Sequence, residues 1–404
     1  MLLARERRAS VQRQLICKYG LPLVSFTMNI AGDIKRYPQS DMAFYEGLDL
    51  LEGILGKPEE LVVTDEKTGL EAVMVYAAEP SEIKSCCTSI EDLHSAGRLF
   101  HMDEILPDST KLKRGEERKC IVCGGDVLVC SRSRAHGLDA VKAGTLEILN
   151  RYCADKIGSL ASDALMAEAY ITPKPGLVDA HDSGAHKDMD IEIICRSADA
   201  LRGYFTDVAY ESLKEDLDIP VLKGLGIKAE KTMLEASSGV NTHKGAIYLL
   251  GLAVSGYCRS MLAGGDALSC AAEIAGQLDG FESGSHGDTV RKKTGITCGP
   301  KSEAMNSFPN VRLALDSVSS GKSIYRTLLE IMAVCPDSNV IYRAGTDGLE
   351  YMKKASEEAL ECGDDILPSI LSEMNGDFIK RNISPGGCAD ILSCALFLNS
   401  LGET

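Results

Sequence analysis

Acidic residues and histidines are crowded into one short stretch of the chain, Thr172 to Asp190. Its sequence, TPKPGLVDAHDSGAHKDMD, holds two histidines and four aspartates beside the prolines and glycines of an ordinary loop. Carboxylates bind hard cations such as Mg²⁺ and act as general bases, and a histidine can carry a proton near neutral pH. The stretch therefore predicts a catalytic or metal-binding loop.

Four carboxylates in or beside this loop can converge on one hard cation. They are Glu168, Asp179, Asp188 and Asp190. Ser183 is a good N-cap residue, so a helix is predicted to begin near Gly184. On that helix His186 and Asp190 would be four residues apart and share a face. Acids in a first helical turn also offset the helix dipole, which is the structural alternative.

Two helix entries further along the chain are typical of anion binding. In GVNTHKGAI (239–247), Asn241 or Thr242 is predicted to cap a helix whose first turn holds His243 and Lys244. The helix dipole disfavours cations there unless an anion docks at the same end. A surface lysine and a satisfied core histidine are the structural alternative. The second entry is Ser384-Pro385-Gly386-Gly387, a weaker, glycine-rich phosphate pattern without a Walker lysine.

Cysteine, arginine and histidine residues mark the end of the first third of the chain. Cys120, Cys123 and Cys130 with His136 have the spacing C-x2-C-x6-C-x5-H, which resembles a small zinc site, although cysteines are plentiful and the spacing is irregular. A strand–turn pattern is predicted over 120–130. Arg132, Arg134 and His136 are predicted to alternate on an extended segment and to face one phosphate together. Earlier, SFTMNIAGDIK places Asn29 on one strand face with Lys35 beyond it.

The elements that must position these residues fall into two classes. Residues 1–138 are predicted to form an α+β domain, with a helix over 1–20, a strand at 21–30, a helix at 40–55 and two strands within 60–78. Residues 139–404 are predicted to form an all-α domain. Its helical stripes cover 145–171, 191–205, 228–240, 245–262, 266–279, 323–334, 347–361 and 388–401.

Composition narrows the class of protein. The chain has 404 residues and a net charge of −16, which argues against a general nucleic-acid surface. Fifteen cysteines, an odd number spread along the chain, are typical of a reducing compartment. The first ten residues are too charged for a signal peptide, and apolar runs stay short of a membrane span. We therefore expect a cytoplasmic protein without membrane partners, in which anionic ligands meet a divalent cation or a focused basic patch.

A resemblance to known families rests on motifs along nearly the whole chain. From about residue 140 onward they are PKPGLVD (173–179), SGAHKDMD (183–190), GVNTHKGAI (239–247), SHGD (285–288), DSNVIYRAG (337–345) and NISPGGCAD (382–390). This part resembles triphosphoribosyl-dephospho-CoA synthase. RERRASVQRQL (5–15), LVSFTMNIAGDIK (23–35), CIVC (120–123) and CSRSRAH (130–136) resemble apo-citrate lyase phosphoribosyl-dephospho-CoA transferase. Together they imply a fused, bifunctional enzyme.

The resemblance implies two reactions. The synthase part would join the ribose of ATP to the 2′-hydroxyl of dephospho-CoA and release adenine. The transferase part would pass phosphoribosyl-dephospho-CoA to a serine of the citrate lyase acyl carrier protein and release pyrophosphate. A carboxylate would stabilise positive charge at the ribose C1, and a base would take the hydroxyl proton. Mg²⁺ and basic residues would hold the triphosphate.

Residue roles follow from matching the motifs to this sequence. The candidate catalytic residues are Glu168, Asp179, His186, Asp190 and His243. The candidate Mg²⁺ ligands are Asp188 and Asp190. The candidate substrate and phosphate contacts are Lys174, Lys244, Arg343, Ser384, Gly386 and Gly387 in the synthase part, and Arg132, Arg134, His136, Asn29 and Lys35 in the transferase part.

Three positions depart from the family patterns, and two other functions stay open. Lys301 stands where the synthase family has an arginine, Ala31 where the transferase family has a proline, and Cys388 where a serine is usual. A lysine lacks the planar fork that binds phosphate in two places. An acid-rich helical site is also typical of a Mg²⁺-dependent nucleotide phosphohydrolase. A docking module for a carrier protein is the alternative for the first domain. Dependence of adenine release on dephospho-CoA, and labelling of a carrier serine, distinguish these functions.

Overall fold

The chain divides into two compact units in a computed structural model that describes residues 2–115, 117–278 and 286–403. The N-terminal unit is Met1–Cys153 and the helical unit is Ala154–Thr404. The predicted boundary at 138/139 coincides with the start of helix α5 (Leu138–Ala169), whereas the two units divide at 153/154, within that helix.

The N-terminal unit combines helices with a four-stranded antiparallel sheet of order β2-β3-β1-β4. Its strands are β1 (Leu23–Met28), β2 (Glu60–Glu66), β3 (Gly69–Val75) and β4 (Phe100–Ile105). Its helices are α1 (Leu2–Tyr19), α2 (Pro38–Leu55), α3 (Pro80–Leu93) and α4 (Val127–Ser133), followed by the first half of α5. In the register of the sheet, Ser25 of β1 pairs with Val73 on one side and Asp103 on the other.

Aromatic side chains pack helix α2 against one face of the sheet. Phe26 of β1 stacks on Phe44 of α2 with ring centroids 4.7 Å apart, and Phe100 of β4 meets Phe26 edge to face at 5.1 Å. Such ring geometries add to the free energy of burial. Gly47 of α2 permits the close approach, because a Cβ atom there would lie 2.8 Å from the Phe26 ring.

The helical unit contains α-helices and no strand among its described residues. After α5 come α6 (Ile191–Ala200), α7 (Arg202–Ser212), α8 (Ile219–Ala236), α9 (Lys244–Ala263), α10 (Ala267–Leu278), α11 (His286–Thr294), α12 (Pro300–Met305), α13 (Pro309–Ser319), α14 (Ile324–Val334), α15 (Ser338–Leu360), α16 (Leu367–Arg381) and α17 (Gly386–Ser400). Helix α9 packs against α7, α10 and α17. It is long and apolar enough to cross a membrane, but 67% of that window is buried within the protein, as in the core helix of a soluble protein.

The coarse fold prediction is confirmed: a small sheet lies near the N-terminus and helices follow. Two local predictions are wrong. Residues 120–130 form turns and the start of a helix, because Asp126 caps α4 by accepting bonds from the N–H groups of Leu128 and Val129. Residues 184–190 are not helical, because α6 begins at Ile191 with Asp190 as its N-cap.

Candidate active site

A cavity of about 620 Å³ in the helical unit collects most of the site residues predicted in that unit. Polar side chains and glycines from separate motifs line it, among them Glu168, Lys174, His186, Asp188, His243, Lys244, Gly245, Arg343, Ser384, Gly386, Gly387 and Asp390. The wall carries both signs of charge, which is the arrangement expected for a ligand with a phosphate end and a reacting sugar.

A buried ion pair lies at the end of α5. The Lys174 Nζ atom is 2.8 Å from Glu168 Oε1 and 3.0 Å from the Glu168 carbonyl oxygen. Both residues are nearly inaccessible to solvent, 2% for Lys174 and 7% for Glu168. Because breaking a buried pair leaves an uncompensated charge, this pair fixes the start of the 172–190 loop against α5.

Asp179 organises the same loop from within. Its carboxylate accepts bonds from the backbone N–H groups of Lys174 at 2.9 Å, His181 at 2.7 Å and Asp182 at 3.1 Å. The residue is 3% exposed and is not among those that line the cavity. Its contacts are those of a residue that shapes the loop, and its predicted catalytic role stays a prediction.

His243 precedes α9 and is held neutral. Its Nδ1 lies 3.0 Å from the Ser197 hydroxyl oxygen, and its backbone N–H points to the Met233 sulfur. Burial, and then the positive charge of Lys174, lower the pKa of His243 to about 4. Near neutral pH its imidazole is therefore available as a proton acceptor or a hydrogen-bond partner.

Lys244 and Gly245 form the first turn of α9 at the cavity wall. The Lys244 Nζ atom is 3.0 Å from Glu230 Oε2 of α8, and the Lys244 backbone N–H donates to Asn241 Oδ1 at 3.2 Å. The prediction that Asn241 or Thr242 is the N-cap is wrong, because the N-cap is His243, which makes no side-chain capping bond. Asn241, two positions earlier, contributes the bond from the Lys244 N–H. The start of a 20-residue helix and a partly exposed lysine lie together, as an anion site requires.

Asp390, just after the first turn of α17, faces Gly245. Burial, followed by the neighbouring carboxylates of Asp337 and Glu168, raises the pKa of Asp390 well above its ordinary value. Asp337 itself is nearly inaccessible and accepts bonds from the N–H groups of Asn339, Val340 and Cys388. A carboxyl group with a displaced pKa in a cavity is a common feature of catalytic and metal-binding sites.

His186 contacts the motif at residues 382–390, which is almost two hundred residues further along the chain. Its Nε2 atom is 2.7 Å from the Ser384 hydroxyl oxygen, and its Nδ1 is 3.8 Å from Asp188 Oδ1. Burial, and then the charge of Arg343, lower the pKa of His186, while Asp188 acts in the opposite direction. The imidazole is thereby held between a buried hydroxyl and a carboxylate that is largely exposed.

Arg343 and the entry of α17 complete the wall. The Arg343 guanidinium donates to the Ala185 carbonyl oxygen and, at 2.7 Å, to Asn382 Oδ1. Gly387 lies so close to Asp337 that a Cβ atom there would be 2.9 Å from Asp337 Oδ2. The predicted Ser384-Pro385-Gly386-Gly387 turn therefore leads directly into α17, and Ser384, Gly386 and Gly387 line the cavity.

Some predicted residues lie apart from the cavity, and others were missed. Asp190 is exposed, caps α6 through a 2.9 Å bond from the Ile193 N–H, and does not line the cavity. Ser285 of the SHGD motif lies outside the described residues, while Gly287 lines the cavity. Residues of the wall that sequence patterns did not single out as site residues are Tyr204, Glu230, Asn339 and Asp390. Asp390 had a local signal, since it lies in the first turn after the glycine pair.

Predicted residues of the N-terminal unit are spread over different features. Lys35 lines an open surface cavity of about 900 Å³ and donates to the Ile30 carbonyl oxygen at 2.7 Å. Asn29 is exposed and does not line that cavity. The predicted extended arrangement is wrong: Arg132 is in the last turn of α4, and Arg134 ends that helix with a left-handed backbone at φ 52°. Cys120, Cys123, Cys130 and His136 lie together, with their ligand atoms within 4.8 Å of one another.

Comparison with known proteins agrees with this division into two parts. Residues 154–404 match the family of ATP:dephospho-CoA triphosphoribosyl transferase, and residues 1–152 match apo-citrate lyase phosphoribosyl-dephospho-CoA transferase. The chain is 29% identical to Protein CitXG of Haemophilus influenzae, over 99% of this chain and 95% of that protein. It is 28% identical to Protein CitXG of Leuconostoc mesenteroides, over 98% and 95%.

A relative named for the synthase activity alone is also similar. The 2-(5''-triphosphoribosyl)-3'-dephosphocoenzyme-A synthase of Haemophilus ducreyi is 32% identical over 69% of this chain and 99% of that protein. The fold and the site thus define a transferase with a helical catalytic unit. The chain belongs to the ATP:dephospho-CoA triphosphoribosyl transferase family, fused to an N-terminal part that matches the apo-citrate lyase phosphoribosyl-dephospho-CoA transferase family. It is an enzyme of citrate lyase prosthetic-group biosynthesis.

Proposed function

We propose that the helical unit makes 2'-(5''-triphosphoribosyl)-3'-dephospho-CoA from ATP and dephospho-CoA, and that the N-terminal unit transfers phosphoribosyl-dephospho-CoA to a serine of the citrate lyase acyl carrier protein. In the first reaction the bond from the ribose C1 to adenine breaks and a bond from C1 to the 2′-oxygen of dephospho-CoA forms. The proton of that hydroxyl leaves with adenine. Both reactions would occur in the cytoplasm, where free thiols persist.

The observation that carries the first assignment is the composition of one cavity wall. Lys174, Lys244 and Arg343 line it together with the carboxyl groups of Glu168 and Asp390. Cations suit a triphosphate, and the carboxylate of Glu168 suits the positive charge that develops at the ribose C1 when its bond to adenine breaks. The raised pKa of Asp390 favours its neutral form, which can donate a hydrogen bond. The α9 and α17 entries add backbone N–H groups, which bind phosphate oxygens.

Acid–base roles follow from the state of the two imidazoles. The pKa values of His186 and His243 are both lowered, so each ring is neutral near pH 7 and able to accept a proton. His186 is fixed by Ser384 and is our candidate base for the dephospho-CoA hydroxyl. Glu168, positioned by Lys174, is our candidate for stabilising the charged ribose.

Magnesium is part of the proposal for the triphosphate. Mg²⁺ binds proteins through one or two carboxylates together with substrate phosphates, and when bound it neutralises phosphate charge. Asp188 fits this role because its exposed carboxylate lines the cavity and makes only a long contact with His186. Asp190, proposed as a second ligand, has one oxygen engaged in capping α6.

The second reaction is assigned to the N-terminal unit. The serine oxygen of the carrier would form a bond to the α-phosphorus of the triphosphoribosyl product, and the bond to the β-phosphate would break, releasing pyrophosphate. Catalysis of such a phosphoryl-type transfer depends mainly on positioning the reactants and neutralising the phosphate charge. Arg132 and Arg134, both near the end of this unit, are our candidates for that neutralisation, with Lys35 and Asn29 as further contacts.

Two measurements on the purified full chain test these assignments. Adenine release from ATP should require dephospho-CoA and Mg²⁺, and the product should gain a triphosphoribosyl group by mass spectrometry. Release of phosphate from ATP alone would indicate a phosphohydrolase and contradict the first assignment. Addition of apo carrier protein should then yield a carrier with the phosphoribosyl-dephospho-CoA mass on a serine, whereas an unlabelled carrier that binds the chain would indicate a docking module.

A further inference from the structure

Four potential metal ligands in the N-terminal unit meet at one point outside the proposed reaction chemistry. The ligand atoms of Cys120, Cys123, Cys130 and His136 all lie within 4.8 Å of one another. The Sγ atoms of Cys123 and Cys130 are 3.5 Å apart, and His136 Nε2 is 3.3 Å from Cys123 Sγ. We propose that these four side chains bind one Zn²⁺ ion, which acts as the structural centre of residues 118–137.

The spacing of the ligand atoms fits a tetrahedral zinc centre. Zinc–sulfur bonds are about 2.3 Å long and zinc–nitrogen bonds about 2.0 Å, so neighbouring ligand atoms in a tetrahedron lie about 3.5–3.8 Å apart. The observed separations of 3.5 Å and 3.3 Å are close to these values. A disulfide would need sulfur atoms only about 2.05 Å apart, and Cys120, Cys123 and Cys130 are all free cysteines.

The backbone around Cys120 is built as a tight turn over its sulfur. The Cys120 N–H donates to the Gly125 carbonyl oxygen at 2.7 Å, and the Gly124 N–H donates to the Cys120 carbonyl oxygen at 2.9 Å. Gly124 has φ 71°, where a side chain would be strained. The N–H groups of Val122 and Cys123 point to the Cys120 sulfur, so the turn folds its backbone around this side chain.

This segment has almost no apolar core. Among the described residues from 111 to 140, Cys120 alone is buried, and α4 has no buried residue. A seven-residue helix is too short to be stable in water by itself. Arg118 and Lys119 tie the start of the segment to Phe100 and Arg98. The Asp126 cap and the hydrogen bonds of the turn are local, so a metal would join the turn to α4 and to His136.

The ligand set selects the metal. Three thiolates and one imidazole form a Cys3His set, which is a known structural zinc set, whereas Mg²⁺ and Ca²⁺ prefer oxygen ligands. Four protein ligands leave no open position for substrate, as in structural rather than catalytic zinc sites. Binding displaces the protons of the three thiols, and His136 binds as a neutral imidazole.

Metal analysis of the full chain tests the proposal without reference to either enzymatic activity. The chain is purified under reducing conditions without added metal, and bound metal is measured by inductively coupled plasma mass spectrometry. We expect about one zinc per chain. Cys123→Ser should lose most of it, while Cys17→Ser, which alters an exposed cysteine of α1, should retain it. His136→Cys keeps four ligands and should also retain zinc.

Cobalt substitution and amide hydrogen exchange distinguish a tetrahedral structural metal site from incidental metal binding. Co²⁺ in the wild-type chain should give intense tetrahedral bands, with stronger sulfur charge-transfer absorption in His136→Cys. Chelation of zinc should speed amide exchange in residues 118–137 and leave the β1–β4 sheet protected. Folded wild-type chain without zinc would overturn the proposal. So would iron in place of zinc, a Cys123–Cys130 disulfide under these conditions, or equal zinc content in Cys123→Ser.

Discussion

A Cβ atom added to Gly245 would lie 1.9 Å from Oδ2 of Asp390, so the start of α9 meets the Asp390 side chain of α17 without room for a side chain at Gly245. Gly245→Ala must therefore move the carboxyl group or the helix entry. We expect adenine release to fall at least about tenfold, with a loss of about 1–3 kcal/mol of stability from overpacking. Initial rates and urea unfolding measure the two effects.

The matched control for this change is Gly376→Ala in α16. A Cβ atom there would meet nothing within 4 Å, so the helix should gain about 0.5–1 kcal/mol and the rate should stay unchanged. Wild-type adenine release by Gly245→Ala would show that the position of Asp390 does not matter for the reaction.

Lys244→Ala should weaken ATP binding more than it lowers stability. A lost charge-assisted bond costs about 1.5–3 kcal/mol, or about 10- to 150-fold in affinity. The lysine pairs with Glu230 in a partly exposed ion pair, and such pairs contribute only about 0–1 kcal/mol to folding. Glu230→Gln frees Lys244 from that partner and should tighten ATP binding. Calorimetric titration of both variants decides, and a lower Tm with unchanged ATP affinity in Lys244→Ala would assign the lysine a structural role.

Asp188→Asn and Asp190→Asn separate metal binding from capping. Asp188 is largely exposed, so its change should leave the fold intact and raise the Mg²⁺ concentration needed for adenine release about tenfold or more. Asparagine caps helices as well as aspartate does, so Asp190→Asn should keep α6 stable. If Asp190 also binds Mg²⁺, Asp190→Asn should raise the Mg²⁺ concentration needed for adenine release, as Asp188→Asn does. Near-normal turnover of either variant at saturating Mg²⁺ rejects the metal role for that residue.

His243 should make the stability of the helical unit depend on pH. Its pKa of about 4 in the folded chain is below the ordinary 6.5, so the unfolded state binds more protons between these values. The free energy of unfolding therefore falls as pH drops through that window, by about 2 kcal/mol between pH 7 and pH 5. Lys174 and its partner Glu168 are the charged groups nearby. His243→Gln should lose this dependence, and parallel pH slopes of the two proteins in urea unfolding would contradict the assignment.

The double change Arg132→Ala, Arg134→Ala should separate the two reactions. Both side chains are exposed, and the cavity residues of the helical unit all lie beyond residue 164. Carrier labelling should stop, because two guanidinium groups are lost from the neutralisation of pyrophosphate, while adenine release continues. Undiminished carrier labelling would exclude the transfer role. Loss of both activities with a lower Tm would instead indicate that the arginines support the fold.

Local signals were enough to predict the helix entries of the site. The glycine pair before α17 and the Asn-Thr-His-Lys run before α9 are read from neighbouring residues alone, and both helices begin within a residue or two of the predicted position. Such entries depend on caps and on backbone freedom, which are properties of the residues themselves.

The start of α6 and the place of Glu230 in the site depend on contacts between residues far apart in the sequence. Ser183 and Asp190 are both good N-caps, and the helix begins after Asp190 because His186 is bound to Ser384, 198 residues away. Glu230 had no local signal, since only the packing of α8 on α9 brings it to Lys244. The β-branched run after Asp126 favoured a strand, but the Asp126 cap and the left-handed Arg134 give a helix with two defined ends.

Arg343 holds its place before any ligand arrives. Its Nη2 donates to Ala185 and Asn382, its Nε donates to the Asn382 carbonyl oxygen, and Gly345 interrupts α15 just after it at φ 73°. These three bonds use three of the five N–H donors of a guanidinium, and the other two belong to the remaining terminal nitrogen. A phosphate can thus meet an arginine whose rotamer is already selected. The entropy of ordering this long side chain is lost during folding rather than at each turnover.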